Sequence, residues 1–500
     1  MLDPIPYDSL PPAWNTFDLA AFSRHKVLWD YQQAALHNAI KTLWKYYAGD
    51  KNHELPLSQE AFEEDDAARK VRFMEWYRHN GVTDNLDISL GRKRGVNDLL
   101  ADFYPVDDGR IAYQHFINRM GFWMATGSGK TLVIVKLLEA LWLLMQRGAI
   151  PVCDLLVLTH RDDLLAQLER HVEEFNRQGD LHIGLRELRD YAQVKRETPS
   201  LFRGRELTVF TYRSDNLSDE QKEKIVDFRN YDNHGRWYVL LDEAHKGDRE
   251  ESKRQHIYSI LARNGFLFNF SATFTDERDK VTTAYNFNLA RFVQKGYGKH
   301  ITILRQENRA FRDKEDYTGE EKRKVVLKAL ILLTYAHRLR ADLAVPDLYH
   351  RPLMLTLVNS VNTKDADLKL FFRELARIGA GQLDDRLWTT AHGELREGIA
   401  ADPKLMFESE RFALDDDLYR ALTLEDVRRH VFNADLPGEI EVLERPSNRQ
   451  EVAFKLKSGD RPFALIKIGD VSGWLKDELT GYEVISGFDD ESYFEELNGD

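Results

Sequence analysis

Cysteine is nearly absent from this sequence: the 500 residues contain one, Cys153. A lone thiol closes no internal disulfide and, with no second cysteine, builds no cysteine-rich zinc site, so a disulfide scaffold and a zinc ribbon are both excluded. Its expected role is that of a small buried hydrophobe at a strand start. Long apolar runs are missing as well. The most apolar stretch, Leu132 to Met145, is interrupted by Lys136 and Glu139 and falls short of the ~20 residues that span a bilayer. The opening residues, MLDPIPYDSLPPAW, have neither the cationic nor the apolar segment of a secretory signal. No short-period repeat or low-complexity segment is present. These absences lead us to expect a cytoplasmic protein of a reducing compartment with no membrane partner.

Positive charge is also in deficit, with 70 Lys and Arg against 83 Asp and Glu and a formal net charge of −13. That excludes a uniformly basic nucleic-acid coat and leaves room only for a local basic track. What is present is globular: 43% hydrophobic and 11% aromatic residues are incompatible with a disordered chain. At ~150 residues per domain, the length suggests about three structural units.

From Gly121 onward, short apolar runs alternate with longer amphipathic ones. Gly121 to Met124, Asp154 to Leu158, Leu207 to Phe210, Trp237 to Leu241 and Phe266 to Phe270 read as buried strands. Lys130 to Gln146 and Asp162 to Asn176 read as the helices between them. Such alternation predicts an α/β fold with a parallel sheet covered on both faces. Ahead of it lie a helical run, Tyr31 to Tyr47, and a charged stretch, Ala48 to Arg110, expected to be a solvated surface insertion. Beyond Phe270 the pattern pauses through a polar region to about Asp316. A second unit is then expected, with helices at Glu320 to Arg340, Ala366 to Ile378 and Asp416 to Phe432. Its strands are expected at Pro352 to Val358, Ile440 to Leu443, Glu451 to Leu456 and Phe463 to Ile468.

The run Met124-Ala125-Thr126-Gly127-Ser128-Gly129-Lys130-Thr131 follows a strand and opens a helix, the context a phosphate-binding loop requires. Gly127 and Gly129 let the backbone curl so that successive N–H groups face an anion, and the helix start adds partial positive charge. Lys130 would reach the β- and γ-phosphates, and the Thr131 hydroxyl would ligand Mg²⁺. Met124 stands where the strict signature has glycine. Such a loop needs a carboxylate on a neighbouring strand end, and Asp242-Glu243-Ala244-His245 supplies it after four apolar residues. Asp242 is the expected Mg²⁺ partner, and Glu243 the group that polarises the attacking water.

Together, the loop ATGSGKT, the quartet Asp242-Glu243-Ala244-His245 and the tripeptide Ser271-Ala272-Thr273 resemble motifs I, II and III of the superfamily 2 helicases and translocases, the DEAD/DEAH group. Gln32 resembles the glutamine that reads adenine in that group, completing an ATP-binding set with Ala125, Thr126, Gly127, Ser128, Gly129, Lys130 and Thr131. Leu158-Thr159-His160-Arg161 resembles motif Ia and Phe210-Thr211-Tyr212 the next DNA-contacting motif. The long insertion before Lys130, the run Pro352 to Asn362 and Ile466-Lys467-Ile468-Gly469-Asp470 resemble, more narrowly, the Res subunits of type III restriction-modification enzymes.

The resemblance implies an ATP-dependent DNA motor using ATP and Mg²⁺, with a separate methyltransferase subunit reading sequence. It implies that Lys130, Asp242 and Glu243 are catalytic, and that Ser271 and Thr273 couple the ATP site to the DNA groove. Thr159, His160, Arg161, Thr211, Asn359 and Ser360 would touch the DNA backbone. It divides the chain into an N-terminal helical segment (1–47), the charged insertion (48–115), a first RecA-like ATP-binding lobe (116–295), a linker and helix (296–350) and a second, incomplete RecA-like lobe (351–500). Two alternatives stay open: a repair or remodelling ATPase of the same superfamily, and a nucleotide-gated DNA-binding scaffold without turnover.

The sequence departs from the group in one respect. Gly91-Arg92, Gly204-Arg205 and Gly235-Arg236 all lack the glutamine that leads motif VI, so no arginine finger is in view. Since a finger is worth roughly 10³ to 10⁵ in turnover, these residues alone are expected to hydrolyse ATP feebly, and the second lobe to be cut before motifs V and VI. No nuclease carboxylate cluster is evident either.

Overall fold

Strands buried on both faces read as unbroken apolar runs, and the five expected inner strands form in that way. The computed structural model describes residues 2–49, 58–82, 86–90, 98–177, 181–197, 202–218, 225–242, 253–274, 276–298, 302–303, 319–342, 351–356, 367–401, 404–405, 414–444, 451–467 and 483–486. They fall into two compact units, Met1–Lys299 and His300–Asp500.

After a short helix at Pro12–Asn15 and an antiparallel pair of Ala21–Ser23 with Lys26–Val27, the first unit carries α1 (Asp30–Tyr47), α2 (Gln59–Glu64) and α3 (Asp66–His79). The alternating part follows as β1 (Arg119–Met124), α4 (Lys130–Gln146), β2 (Asp154–Thr159), α5 (Asp162–Asn176), β3 (His182–Glu187), β4 (Glu206–Arg213) and β5 (Trp237–Asp242). It ends with α6 (Lys253–Leu261), β6 (Phe266–Ser271), α7 (Glu277–Val281), β7 (Thr283–Phe287) and α8 (Leu289–Gln294). The sheet order is β7-β1-β6-β5-β2-β4-β3, with every neighbouring pair parallel; a short antiparallel strand, Phe202–Arg203, borders β4. This is the parallel α/β sheet that the alternation predicts, in the RecA-like lobe that the resemblance implies. Because all seven strands run the same way, their carboxyl ends share one edge.

Two expectations about this unit need correction. The pattern does not pause after Phe270: β7 follows and pairs with β1 as an outer strand. Nor is the charged stretch a solvated excursion where it is described. Phe62, Phe73, Met74 and Tyr77 from α2 and α3 are buried in the core that also holds the sheet. The stretch keeps its charges inside by giving each a partner. Arg69, 3% exposed, donates to the Phe62 carbonyl at 3.0 Å, and Lys70 donates to the Arg263 carbonyl at 2.6 Å. The run Gly91-Arg92-Lys93-Arg94-Gly95 lies outside the described residues.

The second unit contains α9 (Gly319–Ala341), α10 (Asp367–Gly379), α11 (Asp385–Ala401), α12 (Asp416–Arg420) and α13 (Leu424–Val431). Its strands are β8 (Ile440–Glu444), β9 (Glu451–Leu456), β10 (Ala464–Lys467) and β11 (Glu483–Ser486). The sheet order is β10-β9-β8-β11, with β8–β9 and β9–β10 antiparallel and β8–β11 parallel. Among the described residues it is therefore mixed, where a second RecA-like lobe leads one to expect parallel strands. The single helix expected over Asp416 to Phe432 is two, because Thr423 caps α13: its hydroxyl accepts from Asp426 N–H at 3.2 Å while Asp426 accepts from the Thr423 N–H at 2.9 Å. Residues 351–356 form no strand; Leu353 and Leu355 are exposed, Pro352 has no N–H to give a ladder, and Leu357 and Val358 lie outside the described residues.

Candidate nucleotide site at the carboxyl edge of the first sheet

The loop between β1 and α4 has the backbone its glycines allow. Gly127 and Gly129 take φ of 79° and 76°, the left-handed region. At Gly127 nothing crowds a Cβ, so conformation alone demands glycine; at Gly129 a Cβ would also strike the Gln32 amide nitrogen. Ser128 closes the turn on Ala125, whose carbonyl accepts from its hydroxyl at 2.7 Å and its N–H at 3.2 Å. Lys130 and Thr131 then occupy the first turn of α4, both buried.

Gln32 stands against this loop. Its Nε2 donates to the Ser128 carbonyl at 2.9 Å, and its Oε1 accepts from the Trp29 N–H at 2.9 Å. The Tyr31 hydroxyl donates to the same Ser128 carbonyl at 3.0 Å. Burial pushes the Tyr31 phenol up to about 12, so it remains a donor. Tyr31 thus joins Gln32 at the loop although no motif marks it; its place beside Gln32 is the one local sign.

Register places Asp242 and Ser271 on the same edge. Asp242, the last residue of β5 and 3% exposed, is level with Phe270 of β6, and Ser271, the next residue, is level with Trp123 of β1. Strand β6 therefore separates β1 from β5 by two strand spacings, ~10 Å, and Ser271 ends the strand between the loop and Asp242. The Ser271 hydroxyl donates to the Thr273 carbonyl at 2.5 Å and accepts from the Thr273 N–H at 3.0 Å, and the Ala272 carbonyl accepts from Trp123 Nε1 at 2.8 Å. The tripeptide is thus tied to the strand that carries the loop. Glu243 lies outside the described residues, as do Asn359 and Ser360.

The family profile described as type III restriction enzyme, res subunit, matches residues 26–276, just over half of the 500. The chain belongs to this family. It thereby carries a superfamily 2 helicase-type ATPase domain. No curated protein matches it. Among solved structures, it is similar to the UvsW helicase from bacteriophage T4, at 15% identity over 56% of this chain and 84% of that one, with a TM-score of 0.21.

The remaining residues that the family resemblance singles out lie further along the same edge, at the ends of β2 and β4. Thr159 and Thr211 are buried, and each hydroxyl faces a backbone carbonyl, that of Arg161 and that of Arg186, both at 3.4 Å. His160 is half-buried, whereas Arg161 is exposed at the start of α5. Its guanidinium donates to Asp163 at 2.8 Å and holds that carboxyl below its usual range. Arg213, level with Thr159, is held by Asp215 at 2.6 Å and Asp162 at 2.8 Å. Among the described residues no cluster of His, Cys, Asp and Glu could hold a metal by itself, and no helix is long and apolar enough to cross a membrane.

Proposed function

We propose that this chain is the ATP-dependent DNA helicase or translocase motor of a type III-like restriction system. The observation that carries the reading is the left-handed glycine loop opening α4, with Asp242 buried at the neighbouring carboxyl edge. Loop N–H groups and the α4 terminus bind the triphosphate, and Lys130 neutralises charge on the transferred phosphoryl group. The Thr131 hydroxyl and the Asp242 carboxylate are the hard oxygen donors Mg²⁺ takes when phosphate and water fill its other positions, and the ion would draw charge from the phosphate oxygens. Glu243 orients the attacking water. Ser271 and Thr273, tied to β1 and lying beside β5, relay the state of the ATP site to DNA. Arg161 and His160, with Asn359 and Ser360, contact the DNA backbone without reading bases, and a separate methyltransferase subunit supplies sequence recognition.

The test is ATP hydrolysis by the full-length protein with and without DNA, together with displacement of a third strand from a triplex as the readout of movement. DNA-stimulated turnover abolished by Lys130→Ala and Glu243→Gln is expected. Binding of ATP and DNA with no turnover would overturn the motor in favour of a nucleotide-gated scaffold, and failure to copurify with a methyltransferase would detach it from restriction.

A further inference from the structure

Two donors from adjacent residues converge on one loop carbonyl, and the resemblance to helicases assigns no such role to either. A peptide unit is planar and trans, so the C=O of Ser128 and the N–H of Gly129 point in opposite directions. Whatever fixes the carbonyl outward therefore aims that N–H to the other side, into the concavity where loop N–H groups meet an anion. The Ser128 carbonyl is fixed by the Tyr31 hydroxyl at 3.0 Å and Gln32 Nε2 at 2.9 Å, which fill both of its acceptor positions.

The brace is itself rigid. The Tyr31 ring stacks on Phe287 at 4.5 Å and meets Tyr297 edge-on at 4.7 Å. Phe287 also holds the start of the loop, its carbonyl accepting from the Ala125 N–H at 3.1 Å. Two turns further along α1, Asn38 donates to the Ala284 carbonyl at 2.9 Å, securing the helix to the same edge strand. The Gln32 carboxamide is engaged at both ends, Oε1 by Trp29 and Nε2 by Ser128, so in this arrangement its polar atoms serve the loop and the helix start.

We infer that Tyr31, with Gln32, is a positioning residue that orients the Ser128–Gly129 peptide for the polyphosphate of the nucleotide, independently of the base. The inference rests on the reading of the loop as a nucleotide site. It implies that the energetic signature of this pair belongs to the phosphates, so a ligand with no base at all must register its loss.

Titration of the full-length protein with inorganic tripolyphosphate, ATP and GTP tests it, using Tyr31→Phe, which removes only the hydroxyl, and Gln32→Met, which keeps the side-chain length. Each variant is expected to bind all three ligands about three- to tenfold more weakly, by the same factor for each. In DNA-stimulated hydrolysis, Tyr31→Phe is expected to raise KM for ATP by that factor and leave kcat unchanged. Unchanged tripolyphosphate binding beside weakened ATP binding would overturn the inference by returning the pair to base reading. Unchanged binding of all three ligands, or a fall in kcat with KM unchanged, would overturn it as well. If the wild type bound no tripolyphosphate and no nucleotide, the reading of the loop and the inference would fall together.

Discussion

The two units use their sheets differently. In the first, seven parallel strands bring every carboxyl end to one edge, and the candidate site residues collect there: the loop after β1, Ser271 at the end of β6, Asp242 at the end of β5 and Thr159 at the end of β2. In the second, β8, β9 and β10 run antiparallel, so alternate ends point opposite ways and no edge collects loops from all of them. A parallel sheet needs long crossovers, and those crossovers are what place catalytic turns side by side. The candidate nucleotide site is therefore a property of topology as much as of motif.

Burial sharpens the contrast. Strand β6 is buried along its whole length, whereas β10 is only half-covered. Phe268→Ala in β6 is expected to cost about 3–5 kcal/mol and Leu465→Ala in β10 about 1 kcal/mol or less, read from urea midpoints. Equal losses would dissolve the distinction. Next in size, Lys130→Ala should lower DNA-stimulated ATP hydrolysis by about 10²–10³, or ~3–4 kcal/mol, while leaving the thermal transition of the second unit in place. A shifted second transition would mean that the units are not separable in this way.

Acid distinguishes them again. His256 in α6 is buried beside Arg278 and Arg119, and burial first, then those charges, hold it down to about 4 from 6.5. The unfolded chain therefore binds a proton that the native unit refuses, and stability falls as pH drops from 6.5 to about 4. The loss is about 3 kcal/mol, and His256→Gln should flatten that part of the pH profile. His337 in α9 is also held down to about 4, by burial and then Arg351, but it is less completely buried than His256, so the second unit should show the weaker acid sensitivity. The smallest effect concerns DNA: Arg161→Ala should reduce the slope of log affinity against log salt by about 1 and leave tripolyphosphate binding unchanged.

The inner strands were legible because a strand covered on both faces cannot hide its composition. The outer strands β3 and β7 were not, since half of each meets water and reads as polar: Thr283, Tyr285 and Asn286 are only partly buried. Charge misled in the opposite sense at α3, where Arg69 and Lys70 are buried because carbonyls from Phe62 and Arg263 receive them, and composition does not record partners. The glycine loop was legible because its requirement is local: two left-handed residues before a helix. The hydroxyl of Tyr31 on the Ser128 carbonyl was not, because 97 residues separate them and only the fold brings them together.

The solitary Cys153 sits buried just ahead of β2, and burial pushes its thiol well above the ordinary range. A thiolate is what electrophiles attack, so in the native protein this sulfur is silent. With no other cysteine in the chain, a maleimide or disulfide reagent becomes a clock with one hand. Its rate of incorporation reports how often the first unit opens around β2.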